Sequence, residues 1–227
     1  MSAIPNQIFI GCPWRTIRAK YESVIDDLVK KYPLSFVIVG RRDQQDAADL
    51  LAVIKERLLS SSYAVFDATS GNANVSLEFG IAETQNIQRA LYICTHGAGQ
   101  STASKDSPII SDLAGKKKNL YKQTHQLRTL LEELCREHNY AKRFERWFRT
   151  EFPRATKGNK KRSRALALKL VHSLDGKLSR RRDDVVQELL ADVVGYTTPE
   201  VDDMVKGLHN GALINCTRGR YSDVIIR

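Results

Sequence analysis

The fold of this chain is decided by one stretch, Val65-Phe-Asp-Ala-Thr-Ser-Gly-Asn-Ala-Asn-Val-Ser-Leu-Glu-Phe-Gly-Ile-Ala82. It begins as the end of an apolar strand and places the carboxylate of Asp67 where that strand ends. A short turn follows, and Asn72 or Asn74 can cap the helix that begins there. Glu78 falls in or just after the first turn of that helix, near its positive pole. Ligands bind at such a strand-to-helix corner in open parallel sheets, so the stretch predicts a binding site.

Each of these polar residues also has an ordinary structural interpretation. An Asn before a helix usually caps it, and an acidic residue in the first turn usually complements the helix dipole. The combined pattern, Asp-x-Thr-x-x-Asn-x-Asn-Val-x-x-Glu-x-Gly, specifies about seven positions in one short segment. This combination favours a site over a chance collection of caps.

The composition is that of a folded protein with one large or two small domains. The chain has 227 residues, of which 42% are hydrophobic and 27% charged. No apolar run approaches the ~20 residues that span a bilayer, and the N-terminus lacks a signal-peptide pattern. The four cysteines are scattered without CxxC spacing, which predicts a reducing cytoplasmic location and no metal site.

The charge favours anionic partners. The formal net charge of +10 suits phosphate-bearing ligands or polyanions. No segment pairs a broad basic face with a bulky apolar one, so nucleic acid is a better expectation than a membrane surface.

Strand and helix patterns alternate through the first part of the chain. Apolar runs predict strands at residues 7–10, 36–39, 63–66 and 91–95, with a short edge strand at 108–110. Helical stripes lie at 21–32 and 47–58, and a third runs from Leu120 through Leu127 to Leu134. This alternation predicts an α/β fold with a doubly wound, five-stranded parallel sheet.

Several residues at the same edge of the predicted sheet are candidates for substrate binding. Gly11 allows a ligand to approach the backbone closely. Trp14 either stacks on a base or covers the sheet edge, and Arg15 either meets a phosphate or is solvated. Arg41, in the loop after the second strand, has the same two alternatives.

Three segments resemble the nucleoside 2-deoxyribosyltransferase-like and TIR-like nucleotide-processing domains. Leu77-Glu78-Phe79-Gly80-Ile81-Ala82 is similar to their Glu-containing signature, following a strand that ends in Asp and an Asn-rich turn. Ile8-Phe-Ile-Gly-Cys-Pro-Trp14 resembles their first strand and loop. Asp112-Leu113-Ala114-Gly115, with Tyr121, resembles their last conserved section. The resemblance covers roughly residues 6–135.

The resemblance implies a flavodoxin-like strand order 2-1-3-4-5 and a set of site residues. Glu78 would be the nucleophile or the stabiliser of an oxocarbenium-like state at C1′, and Asp67 would orient the sugar or base or pass a proton. Asn72 and Asn74 would donate to sugar hydroxyls. Thr69 would hold the turn or meet a phosphate. The expected site also includes Gly80, and we expect the carboxyl groups of Asp67 and Glu78 to share one solvent-reachable cavity. No cofactor is implied, and NAD or a nucleotide would be a substrate.

Composition changes after the first domain, which we place at residues 1–150. Residues 151–164 carry basic residues and no acid from position 154 onward, which predicts a linker able to contact a nucleic-acid backbone. Residues 165–227 read as three short helices followed by a hairpin, which resembles a winged helix. The expected nucleic-acid contacts are Lys160, Lys161, Arg162 and Arg164 in the linker, with Arg218 and Arg220 in the hairpin. The third helix presents Glu200, Asp202 and Asp203, so it is a poor groove reader.

Two classes of function follow. The first is an enzyme that cleaves or transfers across the N-glycosidic bond of a nucleoside, a nucleotide or NAD. The alternative is a non-catalytic nucleotide sensor that controls a winged-helix module binding DNA, RNA or protein, as in a transcriptional regulator. The two-part architecture also resembles retron effectors, which implies a role in anti-phage defence. The domains it resembles often complete their sites across a dimer, which makes homo-oligomerisation an expectation.

Overall fold

The chain divides into two compact units. A computed structural model describes residues 3–39, 50–95, 117–153, 156–175, 180–191, 195–218 and 224–226. The first unit comprises Met1–Val29 and Ser35–Cys135, and the second comprises Lys30–Leu34 and Arg136–Arg227. The second unit therefore begins earlier than the boundary expected after residue 150, and it includes a short segment from near the N-terminus.

The first unit is an α/β structure built on a five-stranded parallel sheet. The sheet order is β2-β1-β3-β4-β5 and every neighbouring pair is parallel, which confirms the predicted class and order. The elements, in chain order, are β1 Ile4–Gly11, α1 Arg18–Leu28, β2 Ser35–Val37, α2 Leu50–Leu59, β3 Ser61–Asp67, a 3₁₀ turn Thr69–Gly71, α3 Ala73–Thr84, β4 Arg89–Cys94, β5 Lys118–Tyr121 and α4 Thr124–Glu137.

An aromatic cluster fixes α3 against the sheet. The ring of Phe66 in β3 contacts Phe79 of α3 edge-on at 5.4 Å between centroids, and the centroid of the Phe9 ring in β1 lies 6.0 Å from that of Phe66. Val75 and Ala82 of α3 are buried in the same cluster. Because Glu78 adjoins Phe79 in this helix, the packing that buries the aromatic rings also brings Glu78 to the end of β1.

The fifth strand differs from the prediction. The expected edge strand at residues 108–110 lies outside the described residues, and the observed edge strand is β5, which pairs with β4. Leu120 was expected on the buried stripe of a helix. It lies in β5 instead and is 61% exposed, because α4 begins only at Thr124.

The second unit contains four helices and a three-stranded antiparallel sheet within its described residues. The sheet order is β6-β8-β7. The pairing of β7 with β8 agrees with the hairpin expected near the C-terminus. The elements are α5 Asn139–Glu151, α6 Lys157–Ser173, β6 Arg180–Arg181, α7 Arg182–Leu190, α8 Thr198–Asn210, β7 Cys216–Arg218 and β8 Val224–Ile226.

The basic segment expected as a linker is helical from Lys157 onward. The side chain of Thr156 caps α6 by accepting from the backbone N–H of Asn159 at 3.4 Å. Gly158 lies in the first turn of the helix, where it does not interrupt the later hydrogen-bonded turns. Leu166, Ala167 and Leu170 are buried farther along, so tertiary packing stabilises a helix that composition alone disfavours.

No helix in the described ranges is both long and apolar enough to cross a lipid bilayer.

Candidate functional site

The site lies at the carboxyl edge of the parallel sheet. Gly11 at the end of β1 is in register with Phe66, and the next residue of β3 is Asp67. The chain adds β2 on one side of β1 and then adds β3 and β4 on the other side. The direction in which strands are added therefore reverses between β1 and β3. Open α/β sheets bind their ligands at such a switch point.

The carboxylate of Glu78 lies against the backbone of Gly11. A Cβ atom placed on Gly11 would come within 2.3 Å of Glu78 Oε2 and 2.8 Å of the Phe66 ring. Glu78 is only 8% exposed, and its Oε2 has no hydrogen-bond partner among the described residues. An unpartnered buried carboxylate oxygen is unusual and is typical of a site that receives a ligand group.

Burial also alters the ionisation of Glu78. Loss of hydration raises the pKa of Glu78 from 4.5 to about 7. At neutral pH the residue therefore populates both its protonated and its ionised form, which suits it to proton transfer or to attack on an electron-poor carbon.

Asp67 occupies a different environment, in which all of its bonding capacity is used internally. It is 0% exposed. Its Oδ2 accepts from the hydroxyls of Tyr21 at 3.1 Å and Tyr121 at 2.6 Å. Its Oδ1 accepts from the backbone N–H of Thr69 at 3.0 Å and from the Thr69 hydroxyl. Burial raises the pKa of Asp67, and these hydrogen bonds oppose that rise.

The expectation that Asp67 and Glu78 open into one cavity is therefore wrong. Side chains alternate between the two faces of a strand, so Asp67 points away from the face on which Phe66 meets α3. There it bonds to Tyr21 of α1 and Tyr121 of β5. Asp67 positions the corner through these bonds, while Glu78 is the carboxyl group with an oxygen left for a ligand.

The turn after β3 is held by Thr69 and Asn72. The Thr69 hydroxyl also accepts from the backbone N–H of Cys94 at 2.8 Å, which ties the ends of β3 and β4 together. Asn72 caps α3 by accepting from the N–H groups of Asn74 at 2.9 Å and Val75 at 3.3 Å. Of the alternatives left open by the sequence, Thr69 holds the turn and Asn72 caps the helix.

Asn74 and Gly80 lie on different faces of α3. Asn74 is exposed and precedes Glu78 by four residues, so it shares the face of Glu78 one turn nearer the helix N-terminus. Gly80 follows Glu78 by two residues, or about 200° around the helix, and is exposed on another face. The geometry brings Asn74 toward the predicted site and leaves Gly80 outside it.

The first residue of α1, Arg18, was not predicted from the sequence to belong to the site. The guanidinium of Arg18 lies over the ring of Trp14 at 3.8 Å, and Trp14 remains 40% exposed. Arg18 Nε binds Glu22 at 2.5 Å, but its Nη1 is buried without a partner among the described residues. Arg15, the candidate named from the sequence, is exposed. Arg41 lies outside the described residues.

Cys12, the residue after Gly11, is influenced by the charges of Asp67, Glu78 and Arg18. Burial raises the pKa of the Cys12 thiol to about 12, the negative charges of Asp67 and Glu78 add to that rise, and the positive charge of Arg18 opposes it. The thiol is therefore neutral at physiological pH and is not a nucleophile. Its electrostatic surroundings place Glu78 and Arg18 near the same residue.

Two further contributors, Tyr21 and Tyr121, were not recognised as site residues from the sequence. Tyr21 was assigned to an apolar helical stripe, and Tyr121 was noted only as part of the segment that resembles the last conserved section of the nucleotide-processing domains. The usable signal was that a buried tyrosine hydroxyl needs a hydrogen-bond partner. Nothing in the sequence identified Asp67 as that partner, because it is remote from both along the chain.

Of the basic residues predicted to bind nucleic acid, two arginines are paired with carboxylates. Arg162 is held by Glu200 at 3.1 Å, and Arg164 is held by Glu145 at 2.5 Å. Lys160 donates to the Pro153 carbonyl, whereas Lys161 is exposed. Arg218 ends β7, and Arg220 lies outside the described residues.

No group of three His, Cys, Asp or Glu side chains in the described part of the chain is arranged to hold a metal ion. No protein-family model matches the chain. A comparison with curated proteins also found no significant match.

Proposed function

We propose that the first unit cleaves the N-glycosidic bond of a nucleotide, a nucleoside or NAD, with Glu78 as the reactive carboxylate. The observation that carries this proposal is the buried Glu78 Oε2, which has no partner among the described residues and lies on the Gly11 backbone. A carboxylate at the switch point of a parallel sheet is in position to meet the sugar of a bound nucleotide.

The chemistry begins at the anomeric carbon C1′ of the bound sugar. Ionised Glu78 attacks C1′, or stabilises its positive charge, as the C1′–N bond breaks and the base leaves with the bonding electrons. In the covalent route, water then attacks C1′ and releases the Glu78 carboxylate. A nucleoside base gains one proton overall, which balances the proton given up by the attacking water, whereas nicotinamide leaves NAD as a neutral molecule and the proton of the water passes to solvent.

Arg18 supports a phosphate-bearing substrate. Its Nη1 is a buried donor without a partner among the described residues, and the guanidinium is positioned by Trp14 and Glu22. A guanidinium with a free N–H is a strong phosphate ligand. The combination of a carboxylate for the sugar and a guanidinium for the phosphate favours nucleotides or NAD over free nucleosides.

A second candidate is a nucleotide sensor without catalysis. The inaccessibility of Asp67 favours it, because only one of the two expected carboxyl groups has an oxygen available to a substrate. In this reading a bound nucleotide would regulate the second unit, which we propose is a winged helix. The order of α6, α7 and α8, followed by the β7–β8 hairpin, supports that assignment. A role in anti-phage defence stays a prediction.

A single assay separates the two candidates. The purified protein is incubated with nucleosides, nucleotides and NAD, and free base is measured by chromatography while thermal unfolding reports binding. Release of base from a phosphate-bearing compound supports the enzyme. A ligand that raises the unfolding temperature but yields no free base supports the sensor, and a panel that does neither contradicts both.

A further inference from the structure

A cavity of about 730 Å³ lies within the second unit, and Glu78 is not among the residues that line it. We refer to it as the basic groove. It is lined by Lys30, Lys31, Tyr32, Arg136 and Arg164, and by residues of α5 described below. Its volume is in the range of pockets that hold cofactor-sized ligands.

One wall of the groove is a charged face of α5. Lys142, Arg146 and Arg149 are exposed and follow one another at spacings of four and three residues, so they project from one side of the helix. The opposite side is buried through Phe144 and Phe148. Burial of the aromatic side fixes the direction in which the basic side points.

The other wall is held in place by hydrogen bonds. Arg136 Nε donates to the Tyr32 hydroxyl at 3.2 Å, and Arg164 donates to the Lys31 carbonyl at 2.9 Å. Glu145 binds Arg164 at 2.5 Å and is the one acidic residue among the described residues that line the groove. The groove is therefore preorganised: its described lining brings four arginines and three lysines together with Glu145, and Lys142 is also paired with Glu137 at 2.5 Å.

Such a concentration of positive side chains in one concave surface favours an anionic ligand. Like charges repel, and a concave wall focuses their field on whatever occupies the groove. Arginine dominates the lining, and its planar guanidinium matches phosphate oxygens with paired hydrogen bonds. Tyr32 adds an aromatic ring beside the cations, a combination that favours nucleotides, whose bases stack on such rings.

We propose that the basic groove binds a ligand carrying several adjacent phosphates. Two sources share this chemistry: a free nucleoside polyphosphate and the backbone of a single-stranded nucleic acid. The proposal does not depend on the activity proposed for Glu78, because every residue lining the groove belongs to the second unit.

The test measures binding of three probes to the full chain. Sodium tripolyphosphate and ATP are titrated by calorimetry, and a fluorescent single-stranded oligonucleotide is titrated by anisotropy at two salt concentrations. The variant is Arg146→Glu with Arg149→Glu, and Arg146→Gln with Arg149→Gln is a milder second version. The matched control is Lys55→Glu with Lys117→Glu, which makes the same charge change on exposed residues of the first unit that do not line the groove.

We expect the groove variants to weaken binding about tenfold or more, because each removes charge-assisted hydrogen bonds to phosphate. The control should change affinity much less. Binding of tripolyphosphate or ATP alone identifies a free polyphosphate, and binding of the oligonucleotide alone, with a reduced salt dependence in the variants, identifies a strand. Equal loss in the control, or no binding by any probe at low salt, would overturn the proposal.

Discussion

Glu78 Oε2 lies where the side chain of any residue other than glycine at position 11 would have to be. The distance from that oxygen to an ideal Cβ on Gly11 would be 2.3 Å, far inside van der Waals contact. The close approach links the first strand of the sheet to the candidate reactive group. It explains why Gly11 is required and why the Glu78 carboxylate is poorly hydrated.

Replacing Gly11 by Ala should therefore displace the Glu78 carboxylate. The new methyl group would also meet the buried Phe66 ring at 2.8 Å, so strain of about 1–3 kcal/mol is expected. We expect base release to fall at least tenfold, since small displacements of reacting groups are costly. Chromatography of the released base and thermal unfolding measure the two effects.

Gly80→Ala is the matched control for that substitution. A Cβ on Gly80 would have no neighbour within 4 Å. Alanine is favoured over glycine in a helix by about 1 kcal/mol, so this variant should be slightly more stable and should retain activity. A Gly11→Ala protein as active and as stable as Gly80→Ala would refute the contact.

Replacing Glu78 by Gln should stabilise the protein at high pH. Raising the pKa of Glu78 from 4.5 to about 7 corresponds to about 3 kcal/mol. Between these pH values the folded state holds a proton that the unfolded state has lost, so wild-type stability falls as pH rises from 4.5 to about 7. The Gln variant has no such loss.

Thermal unfolding at pH 4 and pH 8 measures this difference. The Gln variant should exceed the wild type in unfolding free energy by up to about 3 kcal/mol at pH 8 and match it at pH 4. A stability difference that is the same at both pH values would show that burial does not penalise the charge.

Asp67→Ala should destabilise the first unit strongly. It leaves the hydroxyls of Tyr21 and Tyr121 and the N–H of Thr69 without their acceptor, at about 3 kcal/mol or more. Tyr121→Phe removes one of these donors and should cost about 1 kcal/mol. The double variant should lose less unfolding free energy than the sum of the losses in the two single variants, because the Tyr121 hydroxyl that Asp67→Ala would leave without an acceptor is no longer present. Strict additivity in chemical denaturation would argue against the hydrogen bond.

Arg18→Ala should discriminate between substrates. Loss of a charged donor to phosphate should lower turnover of a nucleotide about tenfold or more, while turnover of the matching nucleoside changes little. Arg15→Ala is the control, since Arg15 is exposed in the turn that leads into α1. Equal losses on nucleotide and nucleoside in the Arg18 variant would assign Arg18 a structural role only.

The strands near the site could be predicted because their apolar runs are short and end in polar or small residues. The strand β5 could not, because Leu120 is followed by apolar residues at helical spacing and the strand has only four residues. The first two turns of α6, residues 157–164, were wrongly expected to form a linker, whereas the later part of this helix was predicted. Gly158 and Asn159 weaken the local signal, and burial of Leu166 and Leu170 supplies the stability.

Only part of the candidate site could be predicted from the sequence. The pattern around Glu78 indicated a carboxylate at the strand-to-helix corner, whereas Gly11 was expected to admit a ligand and not the Glu78 carboxylate itself. The burial of Asp67 could not be predicted, since its partners Tyr21 and Tyr121 are distant in sequence. Arg18 was missed because its contact with Trp14 depends on how the loop after β1 enters α1.

The rate of base release as a function of pH, measured for wild type and Glu78→Gln, tests the role of Glu78 most directly. If ionised Glu78 is the reactive group, the wild-type rate rises with pH through about 7 and then levels off. The Gln variant, still folded by circular dichroism, should be slower by about a hundredfold or more. A Gln variant that releases base at the wild-type rate would contradict this assignment.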